Sequence, residues 1–370
     1  MPRSLQHDRQ LFIVTLALCL IGAVMVFSAS AVVLREEGHN GYSFLIKQLL
    51  FGAIGIAGMF WLMRTDYRKL RQPRVIFTAI SVTLVLLVAV FFLDRSHATH
   101  RWIHFGGGIG FQPSELAKLV VIFYLAWFLE SRCAPRAPGV NNFRETLLPA
   151  LGTVLAMVAL VYKEPDMGTA CMIFFIAAVM LFISGLSYRY ICGAVLAAIP
   201  LVYIAIASMP YRLERVKAFF SPGADPQGHG FQLAQSLIAV GSGGFSGVGL
   251  MESRQKLFFL PEAHTDFIFS IICEEIGFVG AVIVLALFAT YGWRGFVAAM
   301  KAPDTFGKLL AIGITVMVVG QALVNLSVVL GLVPTKGIPL PFISYGGSSL
   351  IGMLLATGVL LNISQHADET

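Results

Sequence analysis

The chain is organised by runs of apolar residues, most of them close to twenty long, separated by short polar stretches. The runs fall near 11–34, 44–63, 75–93, 115–130, 147–162, 167–186, 190–209, 267–290, 309–332 and 342–363. A helix needs about 20 residues to cross about 30 Å of hydrocarbon. Barrel strands would alternate with a period of two, whereas these runs are continuously apolar, and helices satisfy every backbone group inside lipid. The pattern predicts an all-α polytopic membrane protein with about ten transmembrane helices, the fourth and fifth being short or including polar residues. The first run, Leu11 to Leu34, is too long for a signal-peptide core and lacks a clear processing site, so it is expected to be the first span. One connection is long, the 57 residues from Pro210 to Asp266, and such a length is usually functional or disordered. Residues 1–370 are expected to form a single membrane domain, with 210–266 as its one large extracytoplasmic loop.

Composition strengthens this picture. Of the 370 residues, 57% are hydrophobic and 12% are charged, against about a quarter charged in a soluble domain. The net charge of +6 lies between the apolar runs instead of clustering on a face, which argues for orientation in a bilayer and against nucleic-acid binding. With the N-terminus in the cytoplasm, that side collects fourteen Lys and Arg, including Arg3, Arg64, Arg68, Arg136 and Arg294. Outside the long loop, the other side collects six: Arg35, Lys47, Arg95, Arg101, Lys163 and Lys336. Both termini are then cytoplasmic and the 210–266 loop faces outward. The basic cluster from Arg64 to Arg74 is expected to determine topology and to touch anionic lipid. The five cysteines show no CxxC or metal spacing.

That orientation places the polar motifs on the outward side. Glu115 and Lys118, three residues apart on one helix face, either pair with each other or leave Lys118 to bind an anionic substrate group. Pro113 suits a helix start, with Ser114 at a capping position. Asp266 stands where the outward loop meets the eighth span, after Glu262, His264 and Thr265; it is either an N-cap or a base tuned by partial burial. Glu274 and Glu275 lie too deep to be caps, so at least one should be protonated or met by a cross-helix partner. Arg101, Arg254, Lys256 and Lys336 are either snorkelling interface residues or, together, a seat for phosphate or pyrophosphate. The glycines of 241–249 do not have nucleotide-loop spacing.

The strings RWI at 101–103, FQPSELAK at 111–118, DPQGHGFQLAQSLIAVGSGG at 225–244, LPEAHTDFIF at 260–269, EEIGFVG at 274–280 and PTKGIPLPFISYGGSS at 334–349 closely resemble the SEDS family, the RodA and FtsW proteins of bacterial cell-wall synthesis. The resemblance covers about residues 8–365. SRQK at 253–256 and PTKG at 334–337 look more like the cell-division member, FtsW, while IPLPFISYGG also looks like the elongation member, RodA. It implies a ten-helix fold in the bacterial inner membrane and a peptidoglycan glycosyltransferase that polymerises lipid II on the outer face. It also implies that the family's essential aspartate is Asp266, its fourth-helix pair Glu115 and Lys118, its aspartate after the fifth helix Asp166, and its RW motif Arg101 and Trp102.

On that resemblance Asp266 is the expected catalytic base, taking the proton from the acceptor's GlcNAc 4-hydroxyl as it attacks the donor's MurNAc anomeric carbon with inversion. Lys118 and Arg101 foremost would stabilise the leaving polyprenyl pyrophosphate, with a divalent cation such as Mg²⁺ as an optional aid and no cofactor required by the sequence. The remaining substrate-binding candidates are Trp102, Glu115, Asp166, Arg254, Lys256, Glu262, His264, Thr265, Glu275, Lys336, Ser344 and Ser348. Expected partners are lipid II and its polyprenyl-linked glycan, membrane lipids, a class B penicillin-binding protein and division-complex proteins, and no nucleic acid. A lipid II flippase and a non-catalytic scaffold for cell-wall synthases are the rival readings.

Overall fold

The computed structural model describes residues 8–36, 38, 40–94, 100–105, 110–134, 137–220, 230–257 and 259–366. Arg3, Arg95 and Arg136 of the charge count, and the motif stretches 106–108 and 225–229, lie outside the described residues.

Among the described residues, twelve α-helices follow one another: α1 Arg9–Glu36, α2 Ser43–Met63, α3 Pro73–Leu93, α4 Pro113–Cys133, α5 Leu148–Lys163, α6 Met167–Ile183, α7 Tyr188–Ala207, α8 Pro210–Phe220, α9 Phe231–Ser242, α10 Ile268–Met300, α11 Thr305–Val329 and α12 Gly347–Gln365. Among the described residues, α1, α2, α3, α10, α11, α12 and α5 with the π-turn before it are long and apolar enough to cross a membrane, seven in all. A two-stranded hairpin, β1 Ile103–His104 with β2 Gly110–Phe111, leads into α4.

Local chemistry sets several boundaries. Pro73 and Pro113 open α3 and α4, where a missing N–H costs nothing. Ser114 is no cap, since its buried hydroxyl finds no partner. Asp166 caps α6 by accepting the Thr169 N–H at 3.0 Å, and Asp304 caps α11 through Gly307 at 2.6 Å. The last span begins five residues later than its apolar run, because 342–346 is a turn closed by Gly346.

Two regions depart from the expected outline. The 210–266 connection is not a plain loop: α8 rests on α7, and α9 packs against α10 and α11, with Ser236 Oγ donating to the Val329 carbonyl at 2.8 Å. In α10 the chain runs ten residues past the expected end at 290. Tyr291 is buried on Thr357 (2.9 Å), and Arg294 pairs with Asp8 at 2.6 Å, so neither polar side chain stops the helix. α10 also breaks internally at Gly277, whose φ of 73° and ψ of −162° belong to glycine.

Polar contacts at the far end of α10 gather both termini. Arg294 holds Asp8, whose N–H donates to Ser364 at 3.3 Å; nearby connections carry Arg68–Asp304 and Arg71–Glu130 pairs. At about 1.5 Å per residue, the part of α10 after the break, Phe278–Met300, carries that end about 35 Å beyond Gly277, on the side away from Asp266. α11 and α4 stand in the middle of the bundle. α7 is the opposite case: none of its described residues is buried.

Candidate active site

Asp266 is fixed through its main chain, leaving its carboxylate available. It does not cap α10, which has no side-chain cap. Its carbonyl accepts the Asn325 amide at 2.7 Å, and the same nitrogen donates to the Ile338 carbonyl at 2.8 Å. Ser344 Oγ donates to the Thr265 carbonyl at 2.5 Å and accepts the Leu340 N–H at 2.7 Å, while the Tyr345 N–H reaches the His264 carbonyl at 3.0 Å. The segment before α10 and the segment before α12 are thus tied at residues 264–266. Gly337 makes room between them: a Cβ there would stand 2.8 Å from Asp266 Oδ2.

The carboxylate faces a cavity of about 730 Å³. Three basic side chains line it, Arg101, Arg215 and Lys336, together with the carboxylates of Asp166 and Glu262. Val202 and Ile206 of α7 supply an apolar wall. Burial pushes the Asp266 pKa up to about 7; Glu262 and Asp166 push the same way, while Arg215 and Arg101 pull it down. The carboxyl is therefore poised to exchange a proton near neutrality, as a base requires. Asp166 is held by the Gln112 amide at 3.1 Å as well as by its capping bond. Arg101 is anchored by Nε to the Glu164 carbonyl at 3.0 Å and by its other guanidinium nitrogen to the Pro165 carbonyl. Glu164 is fully buried with both carboxyl oxygens unpartnered, and burial lifts its pKa to about 8, so it adds little negative charge beside the cavity at neutral pH.

Of the sequence candidates, Arg101, Asp166, Glu262, Asp266 and Lys336 meet around this space. The others stand elsewhere. Lys118 does not reach the cavity, contrary to its expected place on the leaving group. It is buried, paired with Glu115 at 2.8 Å and bonded to Gln321 at 2.6 Å, and Gln321 passes the link on to the Pro339 carbonyl at 2.9 Å. Lys256 and Glu275 form a second buried pair at 2.8 Å, joined by Ser28 of α1, because an isolated charge at that depth would be prohibitive. Glu274 is met by Ser253 and the Arg254 N–H; the expectation that at least one deep carboxylate would be protonated or have a cross-helix partner is met at Glu275 by Ser28 of α1. Arg254 itself points outward. Trp102 lies on Gly110 of the hairpin. His264 stacks on Phe44 at 4.9 Å, and Thr265 bonds Glu262 at 2.9 Å. Ser344 is a backbone brace, and Ser348 bonds the Gln112 N–H and the Gly110 carbonyl. None of these residues is among those lining the cavity.

Sequence reasoning missed Arg215, Gln232, Thr335 and Gly337 in the lining, and Asn325 behind it. Among the described residues no three His, Cys, Asp or Glu side chains converge as a metal cage.

Comparison with known proteins places this arrangement. The family model of FtsW, RodA and SpoVE cell cycle proteins matches residues 9–369. A probable peptidoglycan glycosyltransferase FtsW of Trichlorobacter lovleyi is 41% identical over 98% of this chain and 94% of its own. The stage V sporulation protein E of Bacillus subtilis is 41% identical over 97% of both chains. A solved structure describing how a peptidoglycan synthase complex coordinates polymerization and crosslinking superposes with a TM-score of 0.79 at 32% identity, covering 98% of this chain and 99% of that one. The rod shape determining protein RodA of Thermus thermophilus superposes at 0.71 and 28% identity over the whole of both chains. With its full length matched by model, relatives and solved folds alike, the chain belongs to the FtsW, RodA and SpoVE family of SEDS proteins.

Proposed function

We propose that the chain is an inverting peptidoglycan glycosyltransferase that polymerises lipid II, with Asp266 as its base. The reading rests on one observation: a carboxyl with pKa near 7 shares a cavity with Arg101, Arg215 and Lys336. Asp266 accepts the proton of the GlcNAc 4-hydroxyl while that oxygen bonds to the MurNAc anomeric carbon. The bond from that carbon to the polyprenyl diphosphate breaks, and its electron pair leaves with the diphosphate. Attack opposite the leaving group turns the α linkage into β. The three cations stabilise charge growing on the diphosphate, a task the site performs with fixed groups. Lys118 has no direct part; with Glu115 and Gln321 it steadies the segment carrying Gly337.

Ten spans accommodate this chemistry, α1 to α7 and α10 to α12. The Lys and Arg count favours both termini in the cytoplasm and the cavity outside. α7 supports a lipid-linked substrate, since its exposed apolar surface borders the cavity and suits a polyprenyl chain. The FtsW-like strings favour septal synthesis with a crosslinking, single-span penicillin-binding protein and division proteins as partners. A flippase would need polar lining continuing to the end that holds the termini, whereas the described lining stands at the Asp266 end.

The test is glycan synthesis from purified lipid II by the full chain, alone and with its cognate penicillin-binding protein. Polymer from the wild type and none from Asp266→Ala is the expected result. Equal polymer from both, or none from either with the partner present, overturns the proposal.

A further inference from the structure

The break in α10 at Gly277 leaves backbone groups to be satisfied, and a piece of the long connection satisfies them. The N–H groups of Phe278 and Val279 donate to the carbonyls of Gly244 and Phe245 at 2.9 and 3.3 Å. In return, the N–H groups of Val248 and Gly249 donate to the carbonyls of Glu274 and Glu275 at 3.0 and 3.1 Å. Residues 244–249 are thus stitched into the helix, and the Glu274 and Glu275 side chains hold 253–256 beside them.

The same break marks a change of surroundings along α10. From Ile268 to Gly277 no residue is exposed, so protein covers that stretch on every side. From Phe278 onward the helix shows an apolar face, with Phe278, Val279, Val282 and Ile283 all exposed. The part of α10 after the break, Phe278–Met300, is about 35 Å long and by itself crosses about 30 Å of hydrocarbon. Twenty residues counted back from Arg294, at the far end, reach 274. Gly277 therefore lies near the boundary where lipid begins.

The stitched segment extends that lipid-facing surface sideways. Phe245 stacks on Phe278 at 6.2 Å and is 74% exposed; Val248, Leu250 at 57% and Met251 are exposed beside it. The 21 residues from Phe231 to Met251 contain no Asp, Glu, Lys or Arg, and charge returns at the exposed Glu252 and Arg254. Apolar side chains at the depth where a helix meets lipid, followed at once by exposed charge, have the polarity profile of an interfacial element.

We infer that residues 245–251 rest in the outer leaflet, with Phe245, Val248, Leu250 and Met251 among the upper acyl chains and Glu252 and Arg254 at the headgroups. The occupant of this apolar face is lipid, because the face continues the lipid-exposed side of α10 without a gap. The inference rests on the spanning reading of α10 and is independent of the transfer reaction.

Nitroxide labels on Phe245→Cys and Leu250→Cys test it, in the full chain with its five cysteines replaced by alanine and reconstituted in phosphatidylethanolamine and phosphatidylglycerol vesicles. Oxygen concentrates in lipid, whereas a nickel chelate stays in water. The expected ratio of oxygen to nickel broadening at 245 and 250 is several-fold above that at Glu252→Cys and equal to that at Phe278→Cys. A ratio matching position 252 puts the segment in water and overturns the inference. Labels shielded from both reagents put it against a second copy of the chain and overturn it equally. An unchanged melting temperature verifies each fold, and Val248→Cys reads the same face if Leu250→Cys fails to fold.

Discussion

Gly337→Ala separates the position of the carboxylate proposed as the base from the stability of the fold. The added Cβ would lie 2.8 Å from Asp266 Oδ2, while ordinary contact begins at 3.4 Å. Its backbone is not in the left-handed region, so alanine is tolerated there and stiffens the unfolded chain, an effect of about 0.4–1 kcal/mol towards stability. The yielding group is the end of the Asp266 side chain, which has to retreat by roughly half an ångström because the main chain around it is tied by Asn325 and Ser344. A misplacement of about 1 Å costs about 100-fold in rate, so about tenfold is expected here. The loss should fall on kcat with KM little changed, since the ground-state contacts remain. Glycan polymerisation at varied lipid II concentration, with a melting curve of the same preparation, measures both. Wild-type kcat in a stably folded Gly337→Ala protein would refute the placement of the base, and a sharp drop in melting temperature would show that the backbone moved instead.

As the proposed base Asp266 would act ionised, so kcat/KM should rise about tenfold per pH unit up to about 7 and then level. Its raised pKa has the opposite effect on the fold: stability is lost as pH climbs from 3.8 through about 7, and Asp266→Asn should abolish that part of the decline in melting temperature. Lys118→Met strands the buried Glu115 carboxylate and should cost about 3–5 kcal/mol, with most of it restored in the Glu115→Gln, Lys118→Met double variant; thermal melts of the three proteins test this. Asn325→Ala removes the amide shared by the Asp266 and Ile338 carbonyls and should destabilise by about 1–3 kcal/mol while lowering kcat, measured by melting and polymerisation.

Seven of the expected spans were legible because lipid imposes one rule on them: about twenty apolar residues with their backbone groups satisfied internally. The end of α10 was not, since Arg294 looks like a boundary until Asp8, 286 positions away, is seen to neutralise it. The same distance in sequence hid much of the site. Asp266, Asp166 and Arg101 lie in outward motifs whose polarity stands out. Arg215 was lost in a connection treated as loop, which folds into α8 and brings that side chain to the cavity. Lys118 misled because a charge inside a span signals either function or a buried partner, and Gln321, which helps to settle the matter, sits 203 residues on. Gly337 and Asn325 carry no chemical signal of their own; their meaning is the closeness of two segments that only packing brings together.

One wall of the cavity comes from α7, a helix with no described residue buried against the rest of the molecule. On the proposed ten-span reading, bilayer lies behind Val202 and Ile206 in the cell and surfactant in a purified sample. The shape of the reaction vessel is thus partly set by whatever hydrocarbon surrounds it, and turnover compared between micelles and membranes compares two different containers.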